Sequence, residues 1–377
     1  MTSKKRHEAR YQRRKDKRTE KRQQKLSQFD NFGRVTDIDN LYASFLESKS
    51  SVNWKESVQR YEANALRNII EAQRKLIAGE SVQKGFVEFT LREQGKVRRI
   101  KSVHISERVI QKCLCNQALI PILSNGLIYD NGASIKGKGT HFALKRLITH
   151  LSRFYRHNGN NEGYCLLIDF SKFFDSIDHN ILFEMLNKEI KDKQILDLTK
   201  QFVSVFGNGV SLGLGSQVSQ IAAIFYPSLL DHYIKETLHI KYYGRYMDDL
   251  YLIHRDKEYL KECLIKIKEV CKKLKITINE KKTKIVLLNK RFVFLKGKYS
   301  LLENGRVLRR PCKDSALRMK RKLRKFKVLI AEKKMNYEDV RAAYQSWRGN
   351  YKKRFNAYHQ IRFMDKLYND LFMAECT

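Results

Sequence analysis

The stretch KYYGRYMDDLYLIH, Lys241 to His254, constrains this chain more than any other. Two adjacent acids, Asp248 and Asp249, sit between runs of Tyr, Leu and Ile. An unpaired carboxylate in an apolar interior is costly and takes up a proton unless something offsets its charge. The pattern reads as two strands around a tight turn at Met247-Asp248, which would deliver the acids to a sheet end. Upstream, GYCLLIDFSKFFDSIDHNIL has the same character: the apolar run Tyr164 to Ile168 ends in Asp169, and a helix carrying Asp178 to Leu186 follows. An ordinary polar turn would explain a lone Asp pair. It leaves the second acid-ending strand without a reason. Three hard oxygen ligands from two strand ends suit Mg²⁺, or Mn²⁺ in its place, which binds through one or two carboxylates and completes its shell with water and phosphate oxygens. Two such ions ~3.5–4 Å apart serve in-line phosphoryl transfer.

Composition narrows the partners. The 76 Lys and Arg against 40 Asp and Glu leave a formal net charge of +36, far beyond what solubility needs and in keeping with a polyanion. A length of 377 residues allows two or three packed subdomains. No apolar run reaches the ~18 residues of a membrane span. MTSKKRHEARYQRRKDKRTEKRQQK lacks the apolar centre of a secretory signal. Seven scattered cysteines, with Cys113 and Cys115 too close for a CxxC pair, imply free thiols and a cytoplasmic location.

The basic arm, placed at residues 1–40, carries twelve Lys/Arg and three Asp/Glu in its first 25 residues and no apolar stripe. It reads as a solvated segment that becomes helical on binding nucleic acid. Helical patterns dominate 41–160, interrupted by a hairpin from GFVEFTLRE and KVRRIKSVHI, after which Ser106 is the expected cap of a helix. Gly132, Gly137 and Lys138 approach a phosphate-binding loop, but Gly139 stands where Ser or Thr would be needed and no strand leads in. That loop opens a helix at Thr140. Segment 161–304 holds the acids, a helix over roughly 256–274 and a strand pair near 276–300. From 305 to 377 the chain reads as helical and basic, with Ala316, Met319, Leu323, Phe326 and Ile330 forming one apolar stripe.

Taken together, YMDD at Tyr246–Asp249 and LLIDFSKFFDSIDH resemble two palm motifs of the reverse transcriptases, in order and spacing. The resemblance covers about residues 60–377. It implies an α+β right-hand polymerase with fingers at 41–160, an antiparallel palm sheet at 161–304 and a helical thumb at 305–377. It implies Asp169, Asp248 and Asp249 as catalytic metal ligands, with the Phe170 carbonyl as an extra ligand and two Mg²⁺ ions as cofactors. Phe174 falls where the family places an aromatic under the sugar, a position that selects dNTPs over rNTPs; Phe173 reads as core. Lys96, Arg98 and Arg99 match the fingers motif that clamps the triphosphate, and strand register decides which Arg points inward. LGLGSQVSQ resembles the template-positioning loop, with Leu214 where many members carry Gln, followed by Gly215, Ser219 and Gln220. NEKKTKIV supplies Lys282 as a candidate proton donor to pyrophosphate. FVFLKGKY resembles the primer grip, with Leu295 and Gly297 at its turn. YQSWRGNYKKRF resembles the thumb of small bacterial enzymes, where Trp347 reads as a core anchor.

The LGxxxSQ pattern is similar to that of diversity-generating retroelement enzymes and of bacterial defence-associated and abortive-infection groups. The implied partners are a structured non-coding RNA template, dNTPs and a DNA product, with a second copy or accessory proteins open and no membrane. No segment resembles an RNase H or an intron-type endonuclease, so a polymerase alone is expected. Antiphage defence is favoured over mutagenic copying, because GSQVSQ departs from the asparagine-containing loop of the mutagenic enzymes. A non-catalytic, maturase-like RNA-binding protein is the alternative of another class, and the intact acid set speaks against it. An RNA-making polymerase is disfavoured by Phe174.

Overall fold

The computed structural model describes residues 3–50, 52–93 and 96–373; the side chains of Lys96 and Arg98, among a few others, lie outside the described residues. The α+β class expected from the sequence holds. Among the described residues, nine strands form three antiparallel sheets, set among helices. The chain divides into two compact units, each assembled from several segments: residues 1–136, 170–237 and 266–278 in the first, residues 137–169, 238–265 and 279–377 in the second.

In the first unit, β1 (Phe86–Glu93) and β2 (Lys96–Val103) form the expected hairpin, with Phe86 opposite Val103 and Thr90 opposite Arg99. The register places Arg99 on the face of Phe86 and Lys101, where Lys101 Nζ lies 5.5 Å from the Phe86 ring centroid and Phe86 packs 4.9 Å from Phe206. Apart from the hairpin, helices of this unit pack on one another and bury Leu41, Phe45, Ile69, Val109 and Leu114. The helix after β2 begins at Ile105, not Ser106: His104 is its cap and accepts from the Ser106 amide through Nδ1 at 3.2 Å. Ring nitrogens serve as acceptors as well as a hydroxyl does, which periodicity could not reveal.

The N-terminal segment differs from the expectation in two ways. Ser3–Ser27 is already one helix. Residues beyond it belong to packed structure, since Val35 is fully buried and Asp30 accepts from the Lys191 and Asp192 amides at 2.7 and 3.0 Å.

The second unit carries the four-stranded sheet, in order β4-β5-β3-β6: β3 is Tyr164–Asp169, β4 Tyr242–Tyr246, β5 Asp249–His254 and β6 Lys284–Leu287. The middles of β3 and β5 are buried on both faces, which explains their unbroken apolar runs. The helix Thr140–Asn158 covers one face with Leu144, Leu147, Leu151 and Phe154. The strand pair expected near 276–300 is more elaborate. β6 joins the large sheet, whereas β7 (Phe292–Phe294), β8 (Gly297–Leu301) and β9 (Val307–Pro311) make a sheet of their own. β9 corrects the helical reading from 305: its arginines suit a helix locally, but pairing with β8 from Gly297↔Pro311 to Leu301↔Val307 decides otherwise.

Three helices follow, Lys313–Ala331, Tyr337–Arg354 and Tyr358–Phe372. Met319, Leu323 and Phe326 of the expected stripe are buried between them. Trp347 packs on Tyr351 at 4.7 Å and donates Nε1 to Ser315 Oγ, a core anchor. Arg348 donates twice to Asp365, Nε to Oδ1 at 2.7 Å and Nη2 to Oδ2 at 2.9 Å, and this holds the carboxyl below its usual range. A depressed native value means the pair stabilises above the unfolded carboxylate value and fades as pH falls through the native one. Asp365→Asn should lower the melting temperature at neutral pH. The gap from wild type should close as pH drops from about 5 towards 1, followed by circular dichroism.

Candidate active site

β4 and β5 are joined by two residues, Met247 and Asp248. Met247 has φ +53°, the left-handed region, which costs a non-glycine residue of order 1–3 kcal/mol and persists only where the surroundings enforce it. Arg245 supplies part of that enforcement. It is among the largest fully buried side chains of the described residues, and its Nη1 donates to the Met247 carbonyl at 3.3 Å.

The register then sets the acids. Asp169, last residue of β3, lies directly opposite Asp249, first residue of β5. Directly opposed residues share a face with Cβ atoms ~4.5–5.5 Å apart. Asp248 adjoins them in the turn. Lys282 reaches into this corner, with Nζ 2.6 Å from Asp169 Oδ1 and 2.9 Å from Oδ2. The Asp169 side chain is only 14% exposed against 55% for Lys282, so the ammonium comes to the carboxylate from the solvent side. Its hydrogen bond to Asp169 raises the Lys282 pKa, aided by the charges of Asp169, Asp249 and Asp248, against desolvation. All three acids therefore act on one cation.

Asn279 and Arg245 were not singled out by the sequence reading. Asn279 donates its amide to the Asp169 carbonyl at 2.8 Å and Nδ2 to Asp169 Oδ2 at 3.2 Å. It stands at the head of the same NEKKTK stretch as Lys282; Arg245 was signalled by a charge in the middle of an apolar strand. Among the described residues, no three His, Cys, Asp or Glu side chains stand together in a geometry that would hold a metal ion as they are. The donor set nonetheless fits a hard cation, since clustered carboxylates already draw the nearest positive charge onto themselves.

The FVFLKGKY segment forms the β7–β8 hairpin in the same unit. Leu295 and Lys296 both have positive φ, +45° and +64°, as a two-residue turn of the primed kind requires. Arg354 Nη2 donates to the Leu295 carbonyl at 2.8 Å. A Cβ on Gly297 would stand 2.5 Å from the Tyr299 hydroxyl, which explains the glycine.

The remaining singled-out residues belong to the first unit. Phe170 is buried and bridges Ile278, Phe173 is buried, and Phe174 is half-buried, its carbonyl accepting from Leu212 at 2.8 Å. The loop at Leu214 rests on the hairpin: Lys101 N donates to the Leu214 carbonyl at 3.1 Å. Gly215 has φ +122°, and a Cβ there would lie 2.6 Å from the Lys101 carbonyl oxygen. Ser216 caps the next helix and donates to buried Gln111 at 3.0 Å, Ser219 is buried, and Gln220 is exposed. Arg99 is exposed on its strand.

A family model described as "Reverse transcriptase (RNA-dependent DNA polymerase)" matches residues 82–338, more than half of the chain. The chain belongs to the reverse transcriptase family. All residues discussed as candidate site residues fall inside the matched span, and the right-hand polymerase fold expected from the motifs is that of the family. Among solved structures, this reverse transcriptase is similar to the truncated apo telomerase of Candida tropicalis, with a TM-score of 0.47 and 14% identity over 64% of this chain and 60% of that one. The Candida albicans telomerase in complex with a TWJ fragment of telomeric RNA gives a TM-score of 0.49 and 10% identity over 66% of this chain and 51% of that one. The chain thus spans between half and three-fifths of the length of these two relatives. No curated protein matches it in sequence.

Gly215 provides a direct check on the loop. Gly215→Ala forces the loop off the Lys101 carbonyl and should cost about 1–3 kcal/mol. Chemical denaturation should register the loss, and protease cleavage of the hairpin should accelerate.

Proposed function

We propose that the chain is an RNA-directed DNA polymerase that extends a primer by nucleotidyl transfer at Asp169, Asp248 and Asp249. The observation that carries this reading is the register that sets Asp169 opposite Asp249, with Asp248 in the adjoining turn and Lys282 drawn to all three. These carboxylates, with the Phe170 carbonyl, would hold two divalent cations, Mg²⁺ by preference. When bound, such ions lower the pKa of the attacking hydroxyl and offset charge on the transferred phosphoryl group. Lys282 then gives up Asp169 and turns its ammonium to the pyrophosphate, to which it can deliver a proton. Asn279 remains on Asp169 and fixes its orientation.

The roles of the first-unit residues rest on the family motifs. Phe174 excludes a ribose 2′-hydroxyl. Lys96, Arg98 and Arg99 bind the triphosphate, for which guanidinium and ammonium groups are suited. Leu214, Gly215 and Gln220 position template and incoming base; in the second unit, and on the same ground, Leu295 with Gly297 grips the primer. Fingers, palm and thumb are assigned to 41–160, 161–304 and 305–377, with the basic arm before them.

For biological role, we favour copying of a dedicated structured RNA in bacterial antiphage defence, in the cytoplasm. The departure of GSQVSQ from the asparagine-containing loop of the mutagenic enzymes supports that choice, and the free cysteines among the described residues agree with a reducing compartment. No helix among the described residues is long and apolar enough to cross a membrane. Sequencing the nucleic acid that co-purifies with the protein tests the template; adenine-biased changes in a neighbouring repeat would decide for mutagenic copying.

Two variants test the chemistry. Asp248→Ala should abolish dNTP incorporation on a primed RNA while RNA affinity stays within about twofold, because surface charge dominates that affinity. Joint loss of both would make the acids structural supports. Phe174→Ala should admit rNTPs, read as ribonucleotide incorporation in single-turnover primer extension. Unchanged sugar selectivity would remove Phe174 from its proposed place.

A further inference from the structure

At the other end of the four-stranded sheet, β4 begins at Tyr242 and β5 runs out at Ile253 and His254, with Tyr242 opposite Ile253 and Tyr164 opposite His254. Over the six residues of β5 this end lies roughly 17–20 Å from the acids. A cavity of about 610 Å³ opens there. Its floor is apolar: Phe154 and Tyr242 are buried and meet edge to face at 6.0 Å, with Ile253 beside them.

Its rim is polar, with two cations, Lys241 and Arg255, among three histidines. His157 comes from the last turn of the helix Thr140–Asn158, His239 and Lys241 from the approach to β4, and His254 and Arg255 from the exit of β5. Arg153 and Arg156 add to this field: burial pushes the Tyr242 phenol up, and the two guanidiniums pull against it. Asp256 is the single acid among the described residues lining the cavity, and it is committed elsewhere. Its Oδ1 accepts from the Glu258 and Tyr259 amides at 2.8 and 3.3 Å, capping the helix Lys257–Lys273. The rim is also braced. Tyr259 donates its hydroxyl to the Leu238 carbonyl at 2.7 Å and lies 4.7 Å from the His254 ring, joining strand entry to strand exit. His239 is held at φ +46°.

We infer that this cavity binds the phosphates of a single-stranded stretch of RNA, away from the polymerising end of the sheet. Cations lining a concave site with an apolar floor focus positive potential and concentrate anions. Guanidinium and ammonium groups, with imidazole N–H donors beside them, match phosphate oxygens. The volume lies within the range of nucleotide-sized pockets, and the aromatic floor can receive a base. A free nucleotide would offer the same phosphate chemistry, so the experiment separates the two sources.

Lys241 and Arg255 are exposed, and Lys241→Glu/Arg255→Glu should leave the melting temperature unchanged. Labelled single-stranded RNA is titrated over a salt series, with Lys272→Glu/Lys273→Glu as an equal charge change on an exposed stretch outside the cavity. The cavity variant should bind at least about tenfold more weakly at low salt, with its salt slope reduced by ~1.4 for two lost single-strand contacts, whereas the control variant should show neither change. Labelled ATP that binds wild type but not the cavity variant, with the RNA slope unaltered, would keep the phosphate site and assign it to a nucleotide. An effect on neither probe, or an equal effect of the control variant, would overturn the inference. The same series in the Asp248→Ala protein should give the same slopes, so a failure of the polymerase reading is not mistaken for a failure here.

Discussion

Mutual repulsion among carboxylates at one sheet end is the constraint around which the second unit is organised. Two opposed acids at ~5 Å repel by about 3 kcal/mol at an effective dielectric of ~20, before the third is counted. Lys282, bound to both oxygens of Asp169, offsets part of this, and Asn279 fixes the same carboxylate. Arg245 acts from the interior, through the Met247 carbonyl rather than through the solvent face. The corner is thus held between one buried cation and one exposed cation, and only the exposed one is able to leave. That asymmetry is what a site for exchangeable positive charge needs: permanent support behind and a displaceable group in front.

The two faces of the chemistry were unequally legible. β3, β4 and β5 could be read directly because buried strands carry unbroken apolar runs and their acids fall at the ends. The thumb stripe of Met319, Leu323 and Phe326 was legible for the same reason, as 3,4 spacing leaves little choice of face. β9 was not legible, because Val307–Pro311 is a strand only through its partner β8. The His104 cap was hidden because a ring nitrogen took a role usually filled by a hydroxyl. Arg245 carried a signal, a charge inside an apolar strand, but its bond to the Met247 carbonyl depends on the turn that follows.

The β1–β2 hairpin shows a different limit. Register fixes Arg99 on the face of Phe86 and Lys101, a long-range consequence of hairpin pairing that no count of residues along β2 could supply. Gly215 could be named from its motif, but its necessity comes from the Lys101 carbonyl a Cβ would strike.

The division of the chain has a consequence for how the protein is made. The first unit is completed only by residues 266–278: Leu274 accepts the Tyr226 hydroxyl, Thr277 accepts the Ser171 amide, and Ile278 bridges Phe170. The chain through Ile278 must therefore leave the ribosome before that unit's core can close, whereas domains built from one contiguous stretch can fold in turn during synthesis. Neither unit can be excised by a single cut, and a nascent chain stalled short of Leu274 would expose an apolar seam to chaperones.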